Sequence, residues 1–467
     1  MKPLSAARAL LGVAGLALAA LAALAQSPAE LPPPQPVPTP LVLSAGGAVR
    51  WALERNPELA TWRAQRGIAQ ANVVIARQYP FNPIAQHFVW YGNGPESSGV
   101  TNHVFNEHTM RLDVELRHQG TYRRALARAS LTRTDWDVAA QELLVSVRVA
   151  RAFNALLYRR AKYAVANEQV QLQDEAVKQV GQMVEQNKLN LADVYVARAD
   201  AAEGRNLLGP SHSLLVTAGY DLRRALGMVQ EDFEVEGTLE TGLVKPDAPE
   251  LVQAAMERRP DLHSLEFAVQ EADERLRLEV ANRFGNPSIG PGFEYNETSV
   301  YFIGMWLVWS PPVLNTRKGE IQLRQAERAR AIQAVRQSEV TVRQDVYAAL
   351  ARLNEAEGVA DRFRTQLLPE LRRTRDAIDK LLEQNQAGAD LARALDVRRR
   401  LLRSRDAYLD ALFEVSQARV DLAAAVADLS LAACNPPPVA APGPPTDSVP
   451  PPPPEKAPAP GLPQRPQ

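Results

Sequence analysis

The sequence predicts a mainly helical protein with a small β part: long antiparallel coiled-coil helices and four short strands, arranged as an internal two-fold repeat. Three observations carry this reading. The segment that opens Ala52-Leu53-Glu54-Arg55-Asn56-Pro57-Glu58-Leu59 is answered 203 positions later by Ala255-Met256-Glu257-Arg258-Arg259-Pro260-Asp261-Leu262. A repeat of that length is a duplicated structural unit, not a short-period solenoid. Between the repeated motifs run helical stretches that at 1.5 Å per residue extend to about 100 Å, too long for a compact globule. Ahead of each long stretch lie two strand-like segments of about nine residues, the length of a tilted strand crossing a bilayer.

Composition agrees with the helical part. Aromatic residues make up only 6% of the 467 residues, while Ala, Leu, Arg, Glu and Gln, all good helix formers, are abundant. The net charge of −1 supplies no basic field for nucleic acid. Of the 36 prolines most fall near the two ends.

In chain order, Lys2 and Arg8 precede an uncharged run, Leu10 to Leu24, that closes on Ala23-Leu24-Ala25. This is the pattern of a cleaved export signal over 1–25. Residues 26–43 are a Pro-rich leader and residues 435–467 a Pro-rich, disordered tail. The two repeats then occupy 44–247 and 248–434. Each begins with a short helix, 57–79 or 260–283, with Pro57 or Pro260 at its first position, where a missing N–H costs nothing. Strands are expected at 84–92, 109–117, 288–296 and 301–309. The long helices are expected at 122–186 and 317–384, and return helices at 191–227 and 390–431. In each copy the short and return helices together match the long one in length, so the two would stack end to end along it. Tyr408, Leu412, Val415, Leu422, Val426 and Leu429 keep coiled-coil spacing, with Arg419 interrupting the stripe. Pro210 and Pro369 fall inside helices and are expected to kink or break them.

The strands are where a function first shows. In the second, Met110, Leu112, Val114 and Leu116 alternate with Thr109, Arg111, Asp113, Glu115 and Arg117. In the third, Ile289, Pro291, Phe293 and Tyr295 alternate with Ser288, Gly290, Gly292, Glu294 and Asn296; the fourth is apolar on both faces and the first is mixed. Apolar-out, polar-in alternation fits a membrane barrel with a wet interior, with Tyr91, Tyr295, Tyr301 and Trp309 as girdle residues. A half-buried soluble sheet alternates the same way. Four strands cannot close a barrel, and an open edge in lipid leaves backbone groups unsatisfied. Several subunits would have to share it; three would supply twelve strands, and two, four or more also satisfy the argument.

At this point the chain resembles the TolC-type outer-membrane efflux family over residues 44–431. The resemblance rests on the two copies of Arg-x-Pro-(Glu/Asp)-Leu (Arg55 to Leu59, Arg258 to Leu262) and on Asn82-Pro83 and Asn286-Pro287 before the hairpins. Gly120-x-x-Arg123-Arg124 and Pro312 to Arg317 follow the hairpins. The Asn-Pro pairs resemble most the heavy-metal efflux branch. The resemblance implies a homotrimer, a twelve-stranded barrel among outer-membrane lipids and a periplasmic α-barrel. It also implies docking to a periplasmic adaptor protein and an inner-membrane pump, with export of small molecules or metal ions. Many relatives carry a lipidated N-terminal cysteine; Cys434, the only cysteine, does not match it, so no lipid anchor is expected. The family's helical tips are matched by 187–193 and 385–391, with Gly388 suited to a left-handed turn and Asn190 standing at the corresponding place. Asp193 and Asp390 would form acidic pore or gate rings under symmetry; as residues of the first helical turn they also serve as caps.

No enzyme is expected: no nucleophile, nucleotide or dinucleotide motif stands in a suitable context. No cofactor and no metal site is predicted. Among the six histidines only His103 and His108 come near ligand spacing, and a solvated loop pair is the better reading of them. Other readings are a type I secretion duct and, from a different class, a secreted coiled-coil scaffold without a pore.

Overall fold

The computed structural model describes residues 41–98, 103–186, 190–229, 231–240, 247–296, 300–383 and 391–432. The export signal, most of the leader, the tail, Cys434, Gly388 and Asp390 lie outside the described residues.

A short strand β1 (Leu41–Leu43) pairs with β4 (Phe233–Val235) in a two-stranded sheet. The remaining elements run α1 (Ala45–Arg55), α2 (Pro57–Arg77), β2 (Ile84–Gly92), β3 (His103–Asp113), α3 (Gln119–Glu185) and α4 (Leu191–Leu226). After β4 come α5 (Ala248–Arg258), α6 (Pro260–Asn282), β5 (Ser288–Tyr295), β6 (Tyr301–Val308), α7 (Lys318–Arg362), α8 (Leu368–Glu383) and α9 (Leu391–Val426). Helix dominates, as composition indicates. The sequence reading missed α1, α5 and the β1–β4 pair. Gly46 and Gly47 depress the helical signal of α1, and its start is supplied by Ser44, whose Oγ accepts from the Gly47 amide at 3.2 Å.

The 67-residue α3 is the central helix, packed against α2, α4, α6 and α9. The end-to-end stacking is visible at its junctions. Asn56 caps α2 by accepting from the Glu58 amide at 2.8 Å, and its buried amide donates to the Ala225 carbonyl at the end of α4 at 2.9 Å. Arg148–Glu58, Arg63–Glu142 and Arg66–Asp135 pairs then hold α2 along the first half of α3, and Arg205–Asp174 holds α4 along the second. In the other half of the chain, Arg258 at the end of α5 pairs with Asp428 beyond α9 at 2.6 Å.

The interrupted apolar stripe has a physical explanation. Arg419 on α9 pairs with Glu357 on α7 at 2.7 Å, with both side chains under a tenth exposed. The prolines behave differently from each other. The helix α4 runs unbroken through Pro210. Before Pro369 the chain widens into a π-helical turn, Phe363–Leu367, in which the Leu368 amide reaches back to the Phe363 carbonyl. That wider turn accommodates a ring that cannot donate and would press on a preceding carbonyl.

The long helices α3 and α7 are each entered through a residue in the left-handed region, His118 (φ 58°) and Arg317 (φ 52°). Both are non-glycine residues, and their neighbours hold them. Gln119 is 1% exposed and bridges the Arg117 amide and the Asn286 side chain at 2.8 and 2.9 Å. Arg123 pairs with Glu115 at 2.5 Å and reaches the Ala76 and Gln78 carbonyls at the end of α2. Arg317 pairs with Glu279 at 3.0 Å. Asn286 and Arg123 of these motifs are thus among the residues that fasten the sheet to the helices.

Candidate membrane-spanning sheet and helix tip

The strands β2, β3, β5 and β6 form one antiparallel sheet in the order β2-β3-β5-β6. Strand β3 starts at His103 and ends at Asp113, six residues earlier at the front than alternation suggested, because Asn106 and His108 interrupt its apolar side. Residues directly opposite each other share a face, so the pairing sorts the side chains. One face carries Ala85, Val89 and Tyr91; Val104, Met110 and Leu112; Ile289, Pro291, Phe293 and Tyr295; and Tyr301, Ile303, Met305 and Leu307. The other carries Gln86, Glu107, Thr109, Arg111, Asp113, Ser288 and Glu294, with Gly290, Gly292 and Gly304 between them, and also Ile84, Phe88, Trp90, Phe105, Phe302, Trp306 and Val308. The alternation read in the second segment holds over Thr109 to Asp113 and that of the third over Ser288 to Tyr295, whereas Val114 to Arg117, expected in the second strand, lie beyond it. Arg111 donates to Gln86, and Ser288 to Asp113, across the polar face.

The backbone approach is closest at Gly290. A Cβ there would lie 1.8 Å from the Met110 carbonyl oxygen, so no other residue fits between β3 and β5. On the polar face the Trp306 indole lies over Gly292, where a Cβ would be 2.1 Å from its Nε1.

The apolar face is bare in the single chain. Ile303 is 79% and Leu307 69% exposed, and every residue of β6 is exposed. Strands β2 and β6 each also carry an unpaired backbone edge within this sheet. Exposed apolar faces and open strand edges both call for a partner. Among the described residues no helix is long and apolar enough to cross a membrane.

Of the residues expected as a girdle, Tyr91, Tyr295 and Tyr301 gather at the hairpin end of the apolar face, with Tyr295 directly opposite Tyr301. Trp309 stands at the other end, its indole donating to the Phe284 carbonyl at 3.0 Å. The two levels bracket the apolar residues.

Five positions along β3 place His103 and His108 on opposite faces of the strand. His108 instead faces His87 on β2, Nδ1 to Nδ1 at 2.6 Å, on the apolar face. That contact depends on the pairing register of the hairpin. Also unforeseen is a stack of rings on the polar face, Phe88 with Trp90 and Trp90 with Phe105, each at 5.4 Å between centroids. Among the described residues no group of three or more His, Cys, Asp and Glu side chains could hold a metal.

At the helix tip, Asn190 is extended (φ −86°, ψ 155°) and not left-handed. The reason is local: its amide donates to Asp193 Oδ2 at 3.0 Å, closing a cap on α4 that requires extended backbone at that position. Asp193 is therefore a capping residue and is also exposed.

No protein-family model matches the sequence, and no curated protein matches it. Solved structures do match the fold. The Campylobacter jejuni outer-membrane channel CmeC superimposes with a TM-score of 0.64 at 13% identity, over 82% of this chain and 85% of that one. The Neisseria gonorrhoeae outer-membrane channel MtrE in its open state gives 0.65 at 16%, over 82% and 89%. CusC, from a structural study of folding and transmembrane channel formation, gives 0.65 at 16%, over 86% and 99%. With a four-stranded two-edged sheet carried on long antiparallel helices, and with near-complete coverage of these channels, the chain has the fold of TolC-type outer-membrane channel proteins.

Proposed function

We propose that this chain is one subunit of an efflux duct of the outer membrane. The observation that carries the reading is the sheet: one bare apolar face, one polar face and two open edges, none of which is stable alone in water or in lipid. Joining β6 of one copy to β2 of the next satisfies both edges. Three copies of a four-stranded sheet supply twelve strands, an even number in the range of outer-membrane barrels. The apolar face then meets lipid, the polar face lines a wet interior, and the two helical repeats, 44–247 and 248–434, continue the duct as a periplasmic α-barrel. The subunit needs no catalytic group or cofactor. An energised inner-membrane pump, joined through a periplasmic adaptor, delivers cargo of small molecules or metal ions, which then diffuses outward. Asp193 charges the periplasmic mouth.

The test is planar-bilayer conductance of the purified protein beside its oligomeric mass in detergent. Steady channels from a trimer are expected, with weakened cation preference in Asp193→Ala. A monomer soluble in plain buffer and without conductance overturns the duct and leaves a secreted coiled-coil scaffold.

A further inference from the structure

The polar face of the sheet is not uniformly polar. Across its four strands one row reads Phe88, Glu107, Glu294, Phe302, each residue directly opposite the next. The neighbouring row toward the hairpin end opens with Trp90 opposite Phe105. Phe88 and Trp90 are stacked with their planes 6° apart, and Trp90 continues onto Phe105 at 28°. The rings are not buried by this packing: Phe88 and Trp90 are each 43% and Phe302 52% exposed.

Two features of this patch are unfavourable as they stand. Like charges directly opposite on adjacent strands destabilise a sheet, and among the described residues neither Glu107 nor Glu294 takes part in an ion pair or a side-chain hydrogen bond. The exposed rings of Phe88, Trp90 and Phe302 leave apolar area in water. One class of ligand relieves both. An organic cation with an apolar or aromatic body places its charge at the two carboxylates and against the ring faces, and its body on the Phe88–Trp90–Phe105 stack. An inorganic cation satisfies the carboxylates alone, a neutral aromatic the rings alone, and an anion neither.

We propose that Glu107 and Glu294, with Phe88, Trp90, Phe105 and Phe302, form a binding station for amphiphilic organic cations on the polar face of the sheet. It rests on the reading of that face as a wet interior. The station gives the duct a cargo preference at its outer end, separate from that of any pump. Phe302 and Phe88 stand on the two edge strands, β6 and β2.

The test is isothermal titration calorimetry of the full-length oligomer in an uncharged detergent, with benzyltrimethylammonium as probe and benzyl alcohol and potassium chloride as comparators. Saturable binding of benzyltrimethylammonium is expected, weakened about tenfold in Glu107→Gln/Glu294→Gln and similarly in Trp90→Leu, with no saturable binding of either comparator. Should the double variant lose its oligomeric mass, Glu294→Gln alone carries the comparison. Equal affinity in wild type and variants, or no binding by the wild type, overturns the station. Conductance separates the two proposals: a protein that conducts but does not bind loses the station and keeps the duct, and a soluble monomer without conductance loses both.

Discussion

The buried Arg419–Glu357 pair makes a sharp stability test, because it sits where an apolar side chain would continue the α9 stripe. The two groups are 2.7 Å apart with side chains 6% and 8% exposed. At such burial the attraction roughly offsets the cost of removing both charges from water, whereas removing one partner leaves the other's charge buried without this contact. Arg419→Met or Glu357→Leu alone is therefore expected to cost about 3–5 kcal/mol, while the double variant costs near zero, a coupling of about 3 kcal/mol or more. The double variant also has room to repack: a cavity of about 70 Å³ lies beside the pair, lined by Tyr408, Leu412 and Val415 among others. The assay is guanidinium unfolding of the four proteins followed by far-ultraviolet circular dichroism, compared at equal slope. Single variants that lose less than about 1 kcal/mol, or a double variant that loses the sum of the singles, refute the argument.

Two helix ends make a paired prediction of opposite sign. Ala427 after α9 and Gly227 after α4 are both left-handed, with φ of 59° and 74°. Ala427→Gly should stabilise by about 1 kcal/mol, and Gly227→Ala should destabilise by more, since its Cβ would also lie 2.7 Å from Pro57 Cδ; equal effects in the same assay would refute this. The His87–His108 contact satisfies two imidazoles on a face assigned to lipid. His87→Leu or His108→Leu alone should lower the thermal stability of the oligomer more than the double replacement does, and additive losses would refute the pairing. Acid should weaken the helical part. Burial pushes the Asp261 carboxyl up, but the hydrogen bonds and charge of Arg259 outweigh it and hold it below its ordinary 3.8. The stability it contributes is therefore complete above that ordinary value and lost as pH falls through the lower folded value, below about 4. Asp261→Asn should flatten that part of the pH profile; an unchanged profile refutes the assignment.

How much was legible in the sequence follows from the range of the interactions involved. The long helices, their stacking partners and the strands β2, β5 and β6 were readable within a few residues, because period and alternation are local properties of consecutive side chains. Pro57 and Pro260 marked helix starts for the same reason. What failed locally was weak in local signal: α1 with its two glycines, β3 with Asn106 and His108 on its apolar side, and the three-residue β1 and β4. Asn190 was misjudged because its backbone is set by Asp193 three residues on, not by its own preference. Pairings belong to the tertiary structure alone. No spacing rule brings Arg419 to Glu357, His87 to His108, or Glu107 to Glu294, since each contact joins separate elements whose register is decided by the packing of the whole sheet or helix pair. The sequence by itself determined the class of structure and the alternation of its strands, through periodicity. Only the fold decided which charges are buried, which carboxylates stand opposed, and which faces remain uncovered, because those depend on what lies across the contact and not on what lies along the chain.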